Sequence, residues 1–128
     1  MSNIELIKNN LKPGKPLMVI GPHGCGKLAS VRAAVSQLSY KEKLVFLAMT
    51  DEFDLYITKL LKPSFSNEVL IIDMEYAKPN IYQYLFEAAR NPDRIIVFVD
   101  AKCDSLALAG RCKLLKYTDS FPYKLNEV

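Results

Sequence analysis

Residues 21–27 read Gly-Pro-His-Gly-Cys-Gly-Lys and fit the pattern G-x-x-x-x-G-K. In this pattern the glycines let consecutive backbone N–H groups turn inward and cradle phosphate oxygens, while the lysine ammonium reaches the β- and γ-phosphates. An apolar run, residues 17–20, precedes the pattern, and apolar residues at helical spacing follow it over residues 26–38. A loop between a strand and a helix N-terminus is where phosphate binding is expected. The predicted phosphate-binding residues are Gly21, Pro22, His23, Gly24, Cys25, Gly26, Lys27 and Leu28.

The last of these positions departs from the pattern. A serine or threonine hydroxyl normally follows the lysine and ligates Mg²⁺, but Leu28 stands there and cannot bind a metal. Ser30 lies two residues further on and points about 200° around the helix, so it is a poor substitute. We therefore expect phosphate binding with weak or absent Mg²⁺ binding.

Two side chains inside the loop could add chemistry of their own. His23, the single histidine, is expected to point to solvent, with a catalytic role as the alternative. Cys25 is expected to be a small residue accommodated in the loop, and the alternative is a redox switch gated by nucleotide.

A second acidic motif follows the third predicted strand. Asp73 comes directly after the apolar residues 69–72 and is the candidate Mg²⁺ ligand, with a polar strand end as the alternative. Glu75 is the candidate catalytic glutamate. Met74 occupies the position directly after Asp73 where ATPases place their catalytic glutamate, so Glu75 is displaced by one residue and could be a plain surface acid.

The elements that must position these residues alternate apolar runs with helical patterns, which is typical of a parallel α/β sheet. The sequence predicts strands over residues 17–20, 44–49, 69–73, 95–100 and 112–117, and helices over residues 3–11, 26–38, 51–61, 79–90 and 105–109. It predicts a loop over residues 63–67. One three-layer domain over residues 1–128 is expected.

Composition limits the class of protein. The 128 residues are 50% hydrophobic and 24% charged, which is the range of ordinary globular domains and excludes a disordered or fibrous chain. A net charge of +3 is too small to indicate a dedicated nucleic-acid binder. Three cysteines without a C-x-x-C pair support neither a disulfide framework nor a zinc site. We expect a cytoplasmic protein with no secretion signal and no membrane span.

Residues 21–117 resemble the nucleotide-binding core of AAA+ ATPases, and most of all clamp-loader subunits such as gamma and delta-prime of DNA polymerase III. Besides the phosphate loop, three segments carry the likeness. Residues 80–92 look like the helix after the Walker B strand, and residues 95–100 look like the sensor-1 strand, with Asp100 where Asn, Thr or Ser is usual. Gly110-Arg111-Cys112 is similar to the Ser-Arg-Cys motif.

The resemblance implies a three-layer P-loop NTPase fold of the RecA/AAA+ type, with five parallel strands in the order 5-1-4-3-2. It implies ATP or ADP as ligand and makes Arg111 a candidate arginine finger for a neighbouring subunit's ATP site, with a plain surface arginine as the alternative. The expected partners are replication proteins or other AAA+ subunits in an oligomer or hetero-complex, with any DNA contact indirect.

We expect no counterpart of the family's helical lid and collar, because residues 118–128 are too few to form them. The expected function is a minimal AAA+ ATPase-like subunit with weak or absent hydrolysis. The alternatives are a non-enzymatic AAA+-shaped interaction or inhibitor protein in a replication assembly, and an ATPase that uses a partner's lid. A small-molecule kinase is disfavoured because it would need a lid that excludes water.

Overall fold

A six-stranded sheet forms the middle layer of the chain in this computed structural model, which describes residues 1–47, 67–75, 77 and 81–128. The strand order is β2-β3-β4-β1-β5-β6. Strands β1 to β5 are parallel where they pair, and β6 is antiparallel to β5. The strands are β1 (Leu17–Ile20), β2 (Lys41–Phe46), β3 (Glu68–Asp73), β4 (Ile95–Asp100), β5 (Lys113–Tyr117) and β6 (Leu125–Glu127).

The described helices cover both faces of this sheet. Helices α1 (Asn3–Lys8) and α2 (Lys27–Gln37) pack on one face, and α3 (Tyr82–Ala89) and α4 (Leu106–Arg111) pack on the other. A serine caps the N-terminus of two of the helices, α1 and α4. In both, the serine hydroxyl accepts a backbone N–H that the first turn leaves unpaired.

Strand β4 shows why the chain forms three layers. All of its residues are buried, and its side chains alternate between the two cores. Val97 and Val99 pack with α1 and α2, whereas Ile96 and Phe98 pack with α3 and α4. A strand that is apolar on both faces must be covered on both sides, as in other parallel sheets.

The predicted five-stranded, wholly parallel sheet in the order 5-1-4-3-2 is corrected to a six-stranded mixed sheet in the order 6-5-1-4-3-2, in which β6 is added beside β5. The chain turns back after β5 and adds β6 at the sheet edge, pairing Leu125 with Tyr117. The side chain of Asn3 holds this strand in place, since it accepts the Leu125 N–H at 2.9 Å and donates to the Tyr123 carbonyl at 3.2 Å. Residues 118–128 therefore complete the sheet.

The bounds of several elements also differ from the prediction. Strand β2 begins at Lys41 rather than Leu44, because residues 41–43 also pair with β3, and at this outer strand the side chains of Lys41 and Glu42 remain exposed. Helix α1 ends at Lys8, and α4 extends to Arg111. The predicted helix over residues 51–61 lies outside the described residues, as do residues 48–49 of the predicted second strand and residues 63–66 of the predicted loop.

Candidate functional site

The phosphate loop, residues 21–27, connects the carboxyl end of β1 to the first turn of α2. Gly24 and Gly26 have φ values of 82° and 85°, a left-handed conformation that residues with a Cβ rarely adopt. Gly26 directly precedes α2, and its carbonyl accepts the Ser30 N–H at 2.9 Å. The Gly21 N–H donates to the Asp100 carbonyl at 3.2 Å and so attaches the loop to β4. The first-turn N–H groups of α2 thus point toward the space beside the loop.

The ammonium group of Lys27 lies at the centre of this space. Lys27 is only 5% exposed, although lysine is almost never buried without a partner. Its Nζ donates to the Pro22 carbonyl at 3.4 Å and forms an ion pair with Oε1 of Glu75. The buried charge is therefore compensated by one carboxylate.

A pocket of about 160 Å³ opens beside Lys27. Both acidic candidates, Asp73 and Glu75, line it together with the loop, so the structure brings these predicted site residues together. The lining residues are His23, Gly24, Gly26, Lys27, Leu28, Ala29, Asp73, Glu75 and Val99. Backbone N–H groups and an ammonium on one side and two carboxyls on the other suit an anionic ligand with a cation beside it.

Asp73 ends β3 on the sheet face that carries α2. Its Oδ1 accepts the Glu75 N–H at 3.0 Å. Burial raises the pKa of the Asp73 carboxyl above its usual range, and the neighbouring Glu75 charge adds to the rise, while the Glu75 N–H and the Lys27 ammonium oppose it. Asp73 is thus placed at the pocket, where its carboxylate accepts a backbone N–H.

Glu75 turns back toward the loop instead of pointing away from the strand end. Both of its carboxylate oxygens face loop residues, because Oε1 pairs with Lys27 and Oε2 lies 3.6 Å from Nδ1 of His23. The Glu75 side chain is 16% exposed, whereas that of His23 is 81% exposed, as predicted from the loop position. The sequence did not predict the Lys27–Glu75 contact, since it depends on the turn that the Asp73 carboxylate makes with the Glu75 N–H.

The described residues fit a phosphate better than they fit Mg²⁺. Leu28 lines the pocket and packs partly against the core, so an apolar side chain occupies the position of the missing hydroxyl. Among the described residues, no three His, Cys, Asp or Glu side chains lie close enough together to hold a metal ion. Asp73 remains as the single pocket carboxyl without an ammonium partner.

Asp100 ends β4 on the opposite sheet face from Asp73. It shares that face with Ile96 and Phe98 and is 6% exposed. Burial raises the pKa of its carboxyl to about 6, and N–H groups from Ala101 and Lys102 limit the rise. The Ala101 N–H donates to Oδ1 at 2.7 Å. Asp100 is therefore a buried, weakly acidic carboxyl.

Arg111 lies far from this chain's own pocket. It ends α4 just before β5, whose first residue Lys113 pairs with Leu17 at the amino end of β1. The loop follows the carboxyl end of β1, which is about 10 Å away along the strand. The exposed Arg111 guanidinium packs over the Phe86 ring, with 5.5 Å from Cζ to the ring centroid.

A second, larger groove of about 370 Å³ lies between α2 and the start of β2. Arg32 and Glu42 line it and form an ion pair with each other at 2.6 Å. The Arg32 guanidinium is therefore engaged, and the groove has neither a glycine-rich loop nor a helix N-terminus.

Comparison with known proteins finds a shared fold but no sequence relative. No family model matches the chain, and no curated protein matches it. Among solved structures, the RuvB Holliday junction branch migration motor of Thermotoga maritima is 18% identical, with a TM-score of 0.59 over 87% of this chain and 40% of RuvB. The P216G mutant of the same protein is 17% identical, with a TM-score of 0.59 over 88% of this chain and 42% of the mutant chain. The P-loop NTPase domain of a sigma-54 transport activator from E. coli is 7% identical, with a TM-score of 0.53 over 84% of this chain and 80% of that domain.

These likenesses show that the chain has the α/β fold of the RuvB motor and of this P-loop NTPase domain. The chain spans about two fifths of the length of the RuvB chains. Within the described part, none of the helices has the length and apolar character needed to cross a bilayer.

Proposed function

We propose that this chain binds ATP or ADP through residues 21–28, with little dependence on Mg²⁺ and with weak or absent hydrolysis. The observation that carries the proposal is the buried Lys27 ammonium in a pocket formed by a glycine-rich loop, at the N-terminus of α2. Lys27 would contact the β- and γ-phosphates, and the backbone N–H groups of Gly24, Gly26 and Leu28 would surround the same oxygens.

Leu28 and Glu75 support the weak-hydrolysis part of the proposal. With leucine at the metal position, Asp73 is left to hold any Mg²⁺, and one carboxylate is a small part of the usual ligand set. Glu75 is the candidate group that would activate water, but its carboxylate is paired with Lys27. Both features disfavour rapid phosphoryl transfer.

Assembly with other subunits is the second part of the proposal. Arg111 lies near the amino ends of the strands, whereas the pocket lies at their carboxyl ends, so Arg111 would act in a neighbour's ATP site. This agrees with the resemblance of residues 110–112 to the Ser-Arg-Cys motif of clamp loaders. We place the chain in a cytoplasmic DNA-replication assembly with other AAA+ subunits, where contact with DNA would be indirect.

Isothermal titration calorimetry with ATP, with and without Mg²⁺, tests nucleotide binding. Lys27→Ala should weaken binding about tenfold or more, since it removes the buried ammonium. Lys102→Ala is the matched control, because it removes the same charge from a side chain that is 82% exposed. Absence of binding heat for the wild type at high concentrations of ATP and Mg²⁺, or equal affinities in all three proteins, would contradict the proposal.

The metal position can be tested separately. Leu28→Thr restores a hydroxyl beside Asp73, so Mg²⁺ should increase the ATP affinity of this variant more than that of the wild type. Leu28→Val is the control, since it is branched like threonine but has no hydroxyl. An identical Mg²⁺ effect in the two variants would show that position 28 does not limit metal binding.

A second candidate function is a non-enzymatic interaction or inhibitor protein that keeps the AAA+ shape. The apolar residue at the metal position favours it, because such a site would not need to hydrolyse ATP. Affinity capture from the native cell extract distinguishes the two functions. Recovery of sliding-clamp or helicase-loading proteins, together with no ATPase activity in the captured complex, would favour the interaction protein.

A further inference from the structure

We propose that Glu75 is a built-in competitor for the phosphate site, and that phosphate binding requires its carboxylate to leave Lys27. The proposal rests on the proposed nucleotide-binding function and adds how that site is regulated. Its starting point is that the Lys27 ammonium, which would contact phosphate, is already bound by an anion from the same chain.

Burial makes the contact effective. Lys27 is 5% exposed and the Glu75 side chain 16% exposed, so water screens their attraction much less than it screens a surface ion pair. A buried ammonium without an anion is strongly disfavoured. Glu75 therefore supplies the negative charge that Lys27 requires.

The Glu75 carboxylate and a phosphate group would compete for the same ammonium, that of Lys27. Glu75 and Lys27 line the same pocket of about 160 Å³, and Oε1 of Glu75 contacts the Lys27 ammonium, where a phosphate oxygen would also bind. Two anions on one ammonium in that volume would repel each other, and the Asp73 carboxyl stands beside them. A phosphate must therefore displace Glu75 or bind with much lower affinity.

The second carboxylate oxygen extends the effect to the loop. Oε2 of Glu75 lies 3.6 Å from Nδ1 of His23, so Glu75 connects the end of β3 to two residues of the phosphate loop. When phosphate replaces the carboxylate, both loop contacts are lost together. The fraction of molecules in which Glu75 has left then sets the apparent affinity, as in any site that is only partly open.

The test measures binding of pyrophosphate and of ATP, both without divalent metal, by calorimetry. Glu75→Gln keeps the size of the side chain and removes its charge, and we expect its dissociation constant for both ligands to fall about tenfold or more relative to the wild type. Glu87→Gln is the matched control. It makes the same charge change on α3, where the Glu87 side chain is exposed and pairs with Arg90, and its affinity should equal that of the wild type. The double variant Lys27→Ala, Glu75→Gln should not show the higher affinity of Glu75→Gln.

The outcomes separate the two proposals. Equal affinity of the wild type and Glu75→Gln would overturn the competitor role and leave nucleotide binding intact. No binding by either protein would overturn both. Circular dichroism accompanies each titration, with Glu75→Ala as a second variant. If neither Glu75 variant folds, Glu75 supports the fold rather than gating the site, and the competitor role is overturned.

Discussion

Replacing Asp100 by asparagine should make the protein more stable at neutral pH. Burial raises the pKa of this carboxyl from an ordinary 3.8 to about 6, so the charged form is disfavoured in the folded state. Each pKa unit corresponds to about 1.4 kcal/mol, so ionised Asp100 destabilises the fold by up to about 3 kcal/mol. Asparagine has nearly the same shape, cannot ionise, and keeps an oxygen to accept the Ala101 N–H.

Because the pKa of Asp100 is higher in the folded protein than in the unfolded chain, its effect on stability depends on pH. Between about pH 4 and pH 6 the folded protein holds a proton on Asp100 that the unfolded chain has released, so Asp100 lowers stability progressively as pH rises through this range. The difference in stability between Asp100→Asn and the wild type should therefore be near zero at pH 3.5 and reach its maximum above pH 6.5.

Urea unfolding followed by circular dichroism at several pH values measures this difference. Asp119→Asn serves as the control, because it makes the same chemical change at an exposed residue and should have little effect at any pH. If Asp100→Asn is no more stable than the control at pH 7, or if its advantage does not grow between pH 4 and pH 6, burial of the Asp100 charge does not destabilise the fold.

Two further substitutions test contacts that hold the site and the sheet together. Gly21→Ala should lower the free energy of unfolding by about 1–3 kcal/mol, because a Cβ there would come within 2.8 Å of Tyr117 Cβ. Gly110→Ala is the control and should be neutral or slightly stabilising, since a Cβ there meets nothing within 4 Å. Equal effects of the two substitutions in urea unfolding would contradict the close approach at Gly21. Asn3→Ala should cost about 1–2 kcal/mol and speed hydrogen exchange of the Leu125 N–H, since its side chain makes two hydrogen bonds that position β6; unchanged exchange would show that β6 pairs without it.

The sequence predicted the interior of the fold more accurately than its edges. The strands Leu17–Ile20 and Ile95–Asp100 have the predicted bounds, because continuous apolar runs in a parallel sheet identify a buried strand by themselves. Strand β6 was not predicted. It has three residues, of which only Leu125 is buried, and its position depends on Asn3 at the other end of the chain. No local pattern contains that information.

For the site, residue types were easier to predict than contacts. The pattern of residues 21–27 predicted the loop between β1 and α2, and the apolar run before Asp73 predicted its place at the pocket. The pairing of Glu75 with Lys27 could not be predicted, because it follows from the backbone turn after β3 and not from spacing along a strand.

Nuclear magnetic resonance of the ¹⁵N-labelled protein during an ATP titration shows where ATP binds, since each backbone N–H reports on its own surroundings. If ATP binds at residues 21–28, the largest chemical-shift changes should occur at the amides of Gly24, Gly26, Lys27 and Leu28. Lys27→Ala should raise the dissociation constant obtained from these changes. Changes centred instead on the groove at Arg32 and Glu42, or no saturable change at any loop amide, would contradict ATP binding at residues 21–28.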